Sequence, residues 1–162
     1  LIDIEPEPDD PFTKQAGKWC EHCKPGAPGG GCTIYQQRPN VCRDYQCGWL
    51  GYDWIPEYWF PRKSKMIVHP KRDALNGTLT IQVTCDIPGV WRKKPYITDI
   101  KNWLYTWSES GVPCVVYIVE SNHLTTALFP DDSEIDARNN RLELYVKLAS
   151  LNIQREKEKI AC

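Results

Sequence analysis

Residues 95–120 read PYITDIKNWLYTWSESGVPCVVYIVE, and their reading decides the fold. Ile97, Ile100, Leu104 and Trp107 recur at helical spacing, Pro95 suits a first-turn position, and Gly111 supplies a stop. A helix is therefore predicted over 95–110. PCVVYIVE then gives six apolar residues in succession, Cys114 to Val119, too short for a membrane span and suited to a buried strand. One amphipathic helix leading into one buried strand points to an α+β domain.

Working outward, TLTIQVTC (78–85) alternates, with Leu79, Ile81, Val83 and Cys85 on one face, and reads as a strand. KMIVH (65–69) is a shorter strand candidate, and Asn76-Gly77 marks a tight turn between the two. HLTTALFP (123–130) is expected to pair with PCVVYIVE across a turn at Ser121-Asn122. RLELYVKLAS (141–150) alternates through Leu142, Leu144, Val146 and Leu148 and is read as a further strand, although the same residues tolerate a helix. The expected architecture is a mainly antiparallel sheet with one principal helix, preceded by a small irregular cysteine-rich module.

Five segments follow. Residues 1–18 are acidic and Pro-rich, 19–50 hold five of the eight cysteines, and 51–65 form an aromatic and basic connector. Residues 66–150 are the α+β domain, and 151–162, with REKEK, read as a charged tail, either a solvated helical end or a frayed one. Seven Trp and eight Tyr against three Phe favour partly wet surfaces and small cores, where the polar tips still find partners. The net charge of −1 gives no global attraction to nucleic acid or anionic membrane. No apolar run reaches the roughly 20 residues that span a bilayer. The chain begins at Leu1 with no signal peptide in view, so a reducing cytoplasm is the expected compartment.

Cys85 and Cys114 fall on apolar strand faces and are expected in the core. Cys162 ends a polar tail. The others, Cys20, Cys23, Cys32, Cys42 and Cys47, follow C-x2-C-x8-C-x9-C-x4-C. A C-x2-C turn presents two sulfurs to one metal at about 2.3 Å, and the chain then leads to further thiols. Four thiolates complete a tetrahedral zinc site or hold an iron–sulfur cluster, with zinc the first expectation. The KPGAPGGG insert (24–31) lets a loop fold back around a ligand. His22 is read as a surface residue rather than a ligand. Disulfides remain an alternative because eight thiols is an even number. A thioredoxin-like pair at Cys20-Glu21-His22-Cys23 would need a following helix where the Gly/Pro insert stands.

CTIYQQRPNVCRDYQCGWL (32–50), carrying Cys32, Tyr35, Arg38, Pro39, Cys42, Arg43, Tyr45 and Cys47, resembles the YkgJ-like zinc- or iron-chelating cysteine-cluster family of bacteria. AGKWCEHC (16–23) is similar to longer members. The resemblance covers the first third of the chain and implies metal chelation without an assigned reaction. The family's upstream C-x2-C-x2-C-C is absent, which, with the missing Met, leads us to expect that an N-terminal piece has been lost. Beside the thiolates, Tyr35 and Tyr45 would shield the site, and Arg38 and Arg43 either donate N–H···S bonds that offset its negative charge or are ordinary surface charges.

YWFPRKSKMIVHPKR (58–72) combines aromatics with five basic side chains, which raises a nucleic-acid or protein adaptor as one alternative. The overall charge speaks against nucleic acid. A metal- or cluster-dependent redox enzyme is another alternative, but no catalytic motif names a nucleophile or general base. PDDSEID (130–136) lacks the Gly-centred spacing of a calcium loop and reads as a solvated turn.

Overall fold

A computed structural model describes residues 20–24, 32–75, 77–121 and 123–161, with the side chains of 152–161 left aside. The chain divides at Gln46/Cys47 into two compact units. The N-terminal unit holds a 3-10 turn, Tyr35–Gln37, and helix α1, Asn40–Asp44. The C-terminal unit runs in the order α2 (Gly48–Gly51), a 3-10 turn (Glu57–Trp59), α3 (Pro61–Ser64), β1 (Met66–Arg72), β2 (Leu79–Cys85), a 3-10 turn (Val90–Arg92), α4 (Tyr96–Glu109), β3 (Cys114–Glu120), β4 (His123–Leu128), β5 (Glu134–Asp136) and α5 (Arg141–Ala161).

The described strands form one sheet in the order β1-β2-β3-β4-β5. β1/β2, β3/β4 and β4/β5 pair antiparallel, and β2/β3 pair parallel. The parallel pair follows from α4: a chain that returns in the same direction needs a crossover, and a helix supplies it. α4 ends as its glycine foretells. Gly111 has φ +74°, its N–H donates to Ser108 C=O at 2.9 Å, and Val112 N–H donates to Trp107 C=O at 3.0 Å. These two bonds make a Schellman cap, which satisfies carbonyls that the helix leaves over.

The sheet is covered on both faces. On one, Met66, Val68, Ile81, Val83, Val116 and Ile118 pack with Ile100, Trp103 and Leu104 of α4 and with Ile55, Trp59 and Trp91. On the other, Val115, Ala127, Phe129 and Ile135 pack with Leu144, Leu148 and Leu151 of α5. Cys85 and Cys114 lie in the first core as expected, and burial pushes both thiols up to about 12.

Three sequence expectations are corrected. Residues 141–150 are helix, not strand, and α5 continues to Ala161, so that the charged segment is a helical end rather than a frayed tail. Leu144, Leu148 and Leu151, spaced four and three, are its sheet-facing stripe, while Leu142 and Val146 are exposed. Two helical stripes interleaved at even positions mimic the period of a strand. The segment 51–65, expected to be a connector, contributes to the core through Ile55, Trp59 and Ser64: Trp59 is fully buried, its ring 4.8 Å from Trp103 and 4.9 Å from Tyr96, and Trp54 meets Trp103 edge-on at 5.1 Å. Cys47–Leu50, assigned to the cysteine module, belong to the C-terminal unit. The Asn76 and Asn122 turn positions fall outside the described residues. Their neighbours Gly77 and Ser121 have φ +65° and +50°, as tight turns require.

Candidate metal centre

The N-terminal unit is built around its cysteines by backbone bonds. Cys23 N–H donates to Cys20 C=O at 2.9 Å, closing Cys20-Glu21-His22-Cys23 into a β-turn. Both thiols therefore flank one reversal of the chain. After the Gly/Pro insert the chain returns, and Cys32 pairs antiparallel with Cys23. Thr33 donates both its N–H (2.9 Å) and its hydroxyl (3.2 Å) to His22 C=O. The bond from Thr33 to His22 flanks the Cys23/Cys32 pair, which makes it a non-hydrogen-bonded pair, the kind with side chains closer together.

The next stretch is fixed by Arg43. Its Nε donates to Arg38 C=O at 2.9 Å and its Nη2 to Gln36 C=O at 3.3 Å, tying α1 to the end of the preceding 3-10 turn. Pro39 starts α1 as its N-cap, a residue held extended at φ −52° and ψ 153°. The guanidinium of Arg38 lies over the Tyr35 ring, 4.2 Å from its centre. The two arginines expected to donate to thiolates thus engage backbone carbonyls and an aromatic face. Cys42 sits within α1 and Tyr45 is its C-cap, both half-buried. Cys47, in the C-terminal unit, caps the start of α2, its C=O accepting from Leu50 N–H at 3.0 Å.

Cys20, Cys23, Cys32, Cys42 and Cys47 are all half-buried, and no disulfide links any of the seven described cysteines. Among the described residues no three His, Cys, Asp or Glu side chains are gathered closely enough to hold a metal ion. The donor set has the chemistry of a zinc or iron site. A closed one needs Cys42 to converge on the Cys20–Cys23 turn. His22 lies 3.5 Å from the Glu21 carboxylate.

One signal lay in the sequence and was not read. Gly48, in the Cys-Gly-Trp-Leu run, is buried, and a Cβ there would stand 2.7 Å from Val68 C=O and 2.8 Å from Pro70 Cδ. The glycine lets α2 lie against β1. The aromatics of 58–72 that suggested a stacking platform are mostly spoken for, since the Trp59 indole N–H and the Tyr58 hydroxyl each donate to Asp99 Oδ2 at 2.7 Å.

Elsewhere several charged groups pair with one another. A polar hollow of about 420 Å³ is lined in part by Arg92, Glu120 and Glu134. Within it Arg92 pairs with Glu134 and stacks on Trp91, and Glu120 accepts from Gly89 N–H and the Trp91 indole. Asp131 and Asp132, read as a solvated turn, pair with Lys147 and Lys101. No helix among the described residues is long and apolar enough to cross a membrane. No protein-family model, curated protein or solved structure matches the chain.

Proposed function

We propose that the chain is a metal-binding protein of the cytoplasm that holds zinc through the cysteines of its N-terminal unit. The observation that carries this reading is the Cys20–Cys23 β-turn with Cys32 paired directly to Cys23. Two thiols flank one turn and a third stands across the ribbon from Cys23, so three sulfur donors are neighbours along the backbone, and turning their side chains inward would close them on an ion. Cys42 is the fourth in the sequence spacing, and Cys47 is the alternative fourth. Four sulfur donors favour zinc, or an iron–sulfur cluster, over hard cations such as Mg²⁺ and Ca²⁺.

Bound zinc supplies a cross-link that an 8-residue Gly/Pro-rich insert cannot provide for itself. The chain's own part is the backbone bonding that closes the Cys20–Cys23 turn and sets Cys32 opposite Cys23. Arg43 then holds the carbonyls of Gln36 and Arg38, which fixes where α1 begins. The role that follows is structural chelation.

Elemental analysis with a UV–visible spectrum tests this on full-length protein purified anaerobically without added metal. About one zinc per chain and a colourless solution is the expected result for a closed thiolate site. Iron with acid-labile sulfide and visible absorption would replace zinc by a cluster. Absence of both metals would overturn the reading. Metal content of C42S and C47S then identifies the fourth ligand, since loss is expected in only one of them.

A further inference from the structure

We infer that Cys23 and Cys32 form an oxidative modification site, at which a hydroperoxide joins the two sulfurs in a reversible disulfide. This rests in part on the metal reading, because both thiols belong to the proposed ligand set. The geometry does not. Thr33 N–H bonded to His22 C=O places Cys23 and Cys32 as a non-hydrogen-bonded antiparallel pair. Facing residues of such a pair have Cα atoms about 4.5 Å apart and side chains on the same side of the ribbon. A disulfide spans Cα separations of about 4.4–6.8 Å, so the bridge needs only side-chain rotation.

The competing pair is Cys20 with Cys23, at the two ends of the β-turn. Turn ends also lie within about 7 Å, but no ladder sets their side chains face to face. Cys42 lies on α1, a separate element. Both Cys23 and Cys32 are half-buried, open enough for a small oxidant, whereas Cys85 and Cys114 are sealed in the core with their thiols held protonated. Selectivity against the two core thiols follows.

The step balances. One thiolate attacks a peroxide oxygen, the O–O bond breaks to give a sulfenic acid, and the departing hydroxide (or alkoxide, from an organic hydroperoxide) takes up a proton released by the thiols to become water or an alcohol. The second thiolate attacks that sulfur, an S–S bond forms, and hydroxide leaves to become water. Two thiols lose two electrons in all, and the peroxide gains them. A sulfur committed to a disulfide is no longer a thiolate ligand, so oxidation removes two of four donors and releases bound zinc.

The experiment treats full-length protein, as purified and again after chelator, with one equivalent of hydrogen peroxide. Remaining thiols are alkylated with one reagent, disulfides are reduced, and the released thiols take a second reagent. Fragment-ion mass spectrometry then reads which cysteines carry which label. The second label is expected on Cys23 and Cys32, the first on Cys20 and Cys42, with one zinc released per disulfide and restored by a thiol reductant. The second label on Cys20 and Cys23, or over-oxidation of single cysteines without pairing, would overturn the inference. Labelling of Cys23 and Cys32 in protein that never held metal would sink the zinc reading alone. Zinc binding with no such pair would sink the modification site alone.

Discussion

The indole N–H of Trp59 donates to Asp99 Oδ2 at 2.7 Å, joining a fully buried ring from the 3-10 turn to the first turn of α4, 40 residues on. The bond lets the stretch 51–65 contribute to the core, because the largest side chain there brings a polar atom that needs an acceptor. D99A removes the acceptor and strands a buried donor. A loss of about 1–3 kcal/mol in unfolding free energy is expected, read as a lower urea midpoint by tryptophan fluorescence. D99N keeps an oxygen and is expected to lose less. Equal midpoints for D99A and the unaltered protein would show that the bond contributes nothing.

Gly48 gives a prediction whose sign is informative. In an exposed helix Gly→Ala stabilises by about 1 kcal/mol. Here the added Cβ meets the Val68 carbonyl at 2.7 Å and Ile55 Cδ1 at 3.0 Å, and a backbone oxygen cannot step aside cheaply. G48A is therefore expected to destabilise by about 1–3 kcal/mol, seen as a lower melting temperature. A rise in melting temperature would mean that α2 is not seated on β1.

Acid weakens the attachment of α5. The Asp131 carboxylate, bonded by Lys147 of α5 and by Ser133, is lowered from 3.8 to about 2. Its folded pKa lies below its unfolded one, so its stabilisation is present above about pH 4 and is lost as pH falls through 2. Asp131 is more than half exposed, which limits the effect to about 1 kcal/mol or less and makes it salt-sensitive. D131N is expected to flatten the pH dependence of stability between pH 4 and 2. A curve that keeps its slope would locate the acid response elsewhere.

Arg43 is expected to tune metal affinity without touching the metal. R43A removes both bonds to the Gln36 and Arg38 carbonyls, and R43K keeps the charge while losing the planar fork. Both should weaken zinc binding about tenfold in competition with a chromophoric chelator. Unchanged affinity in both would leave Arg43 as a local brace only.

Chelation should loosen one unit and spare the other. Hydrogen exchange within 20–44 is expected to accelerate on zinc removal, while amides of β2 and β3, buried by α4, keep their protection. Equal response of both regions would count against a metal-organised N-terminal unit.

Much of the fold was legible because burial and periodicity coincide there. β2 alternates with one face buried, β3 is apolar from Cys114 to Val119 because both its faces are covered, and α4 carries its stripe between a proline start and a glycine stop. Trp103 was missed in that stripe, though it is buried, because its ring packs against Trp54 and Trp59 rather than on the sheet alone. Of the candidate site, the cysteine positions and the turn between Cys20 and Cys23 follow from spacing. The roles of Arg38 and Arg43 did not, since nothing local in a sequence tells whether a guanidinium will find sulfur, carbonyl or ring.

What the sequence by itself determined was local: which residues alternate, where a helix stops, and which thiols share a turn. These depend on contacts within a few residues, and side-chain spacing records them. Only the tertiary structure decided that β2 and β3 run parallel and that residues 141–161 are helical. It alone placed Cys32 against Cys23, put Trp59 inside and packed Trp54 against the core. Each of those depends on a partner distant in the chain. Burial of Leu144, Leu148 and Leu151 against the far face of the sheet is what selects helix from a pattern that also fits a strand.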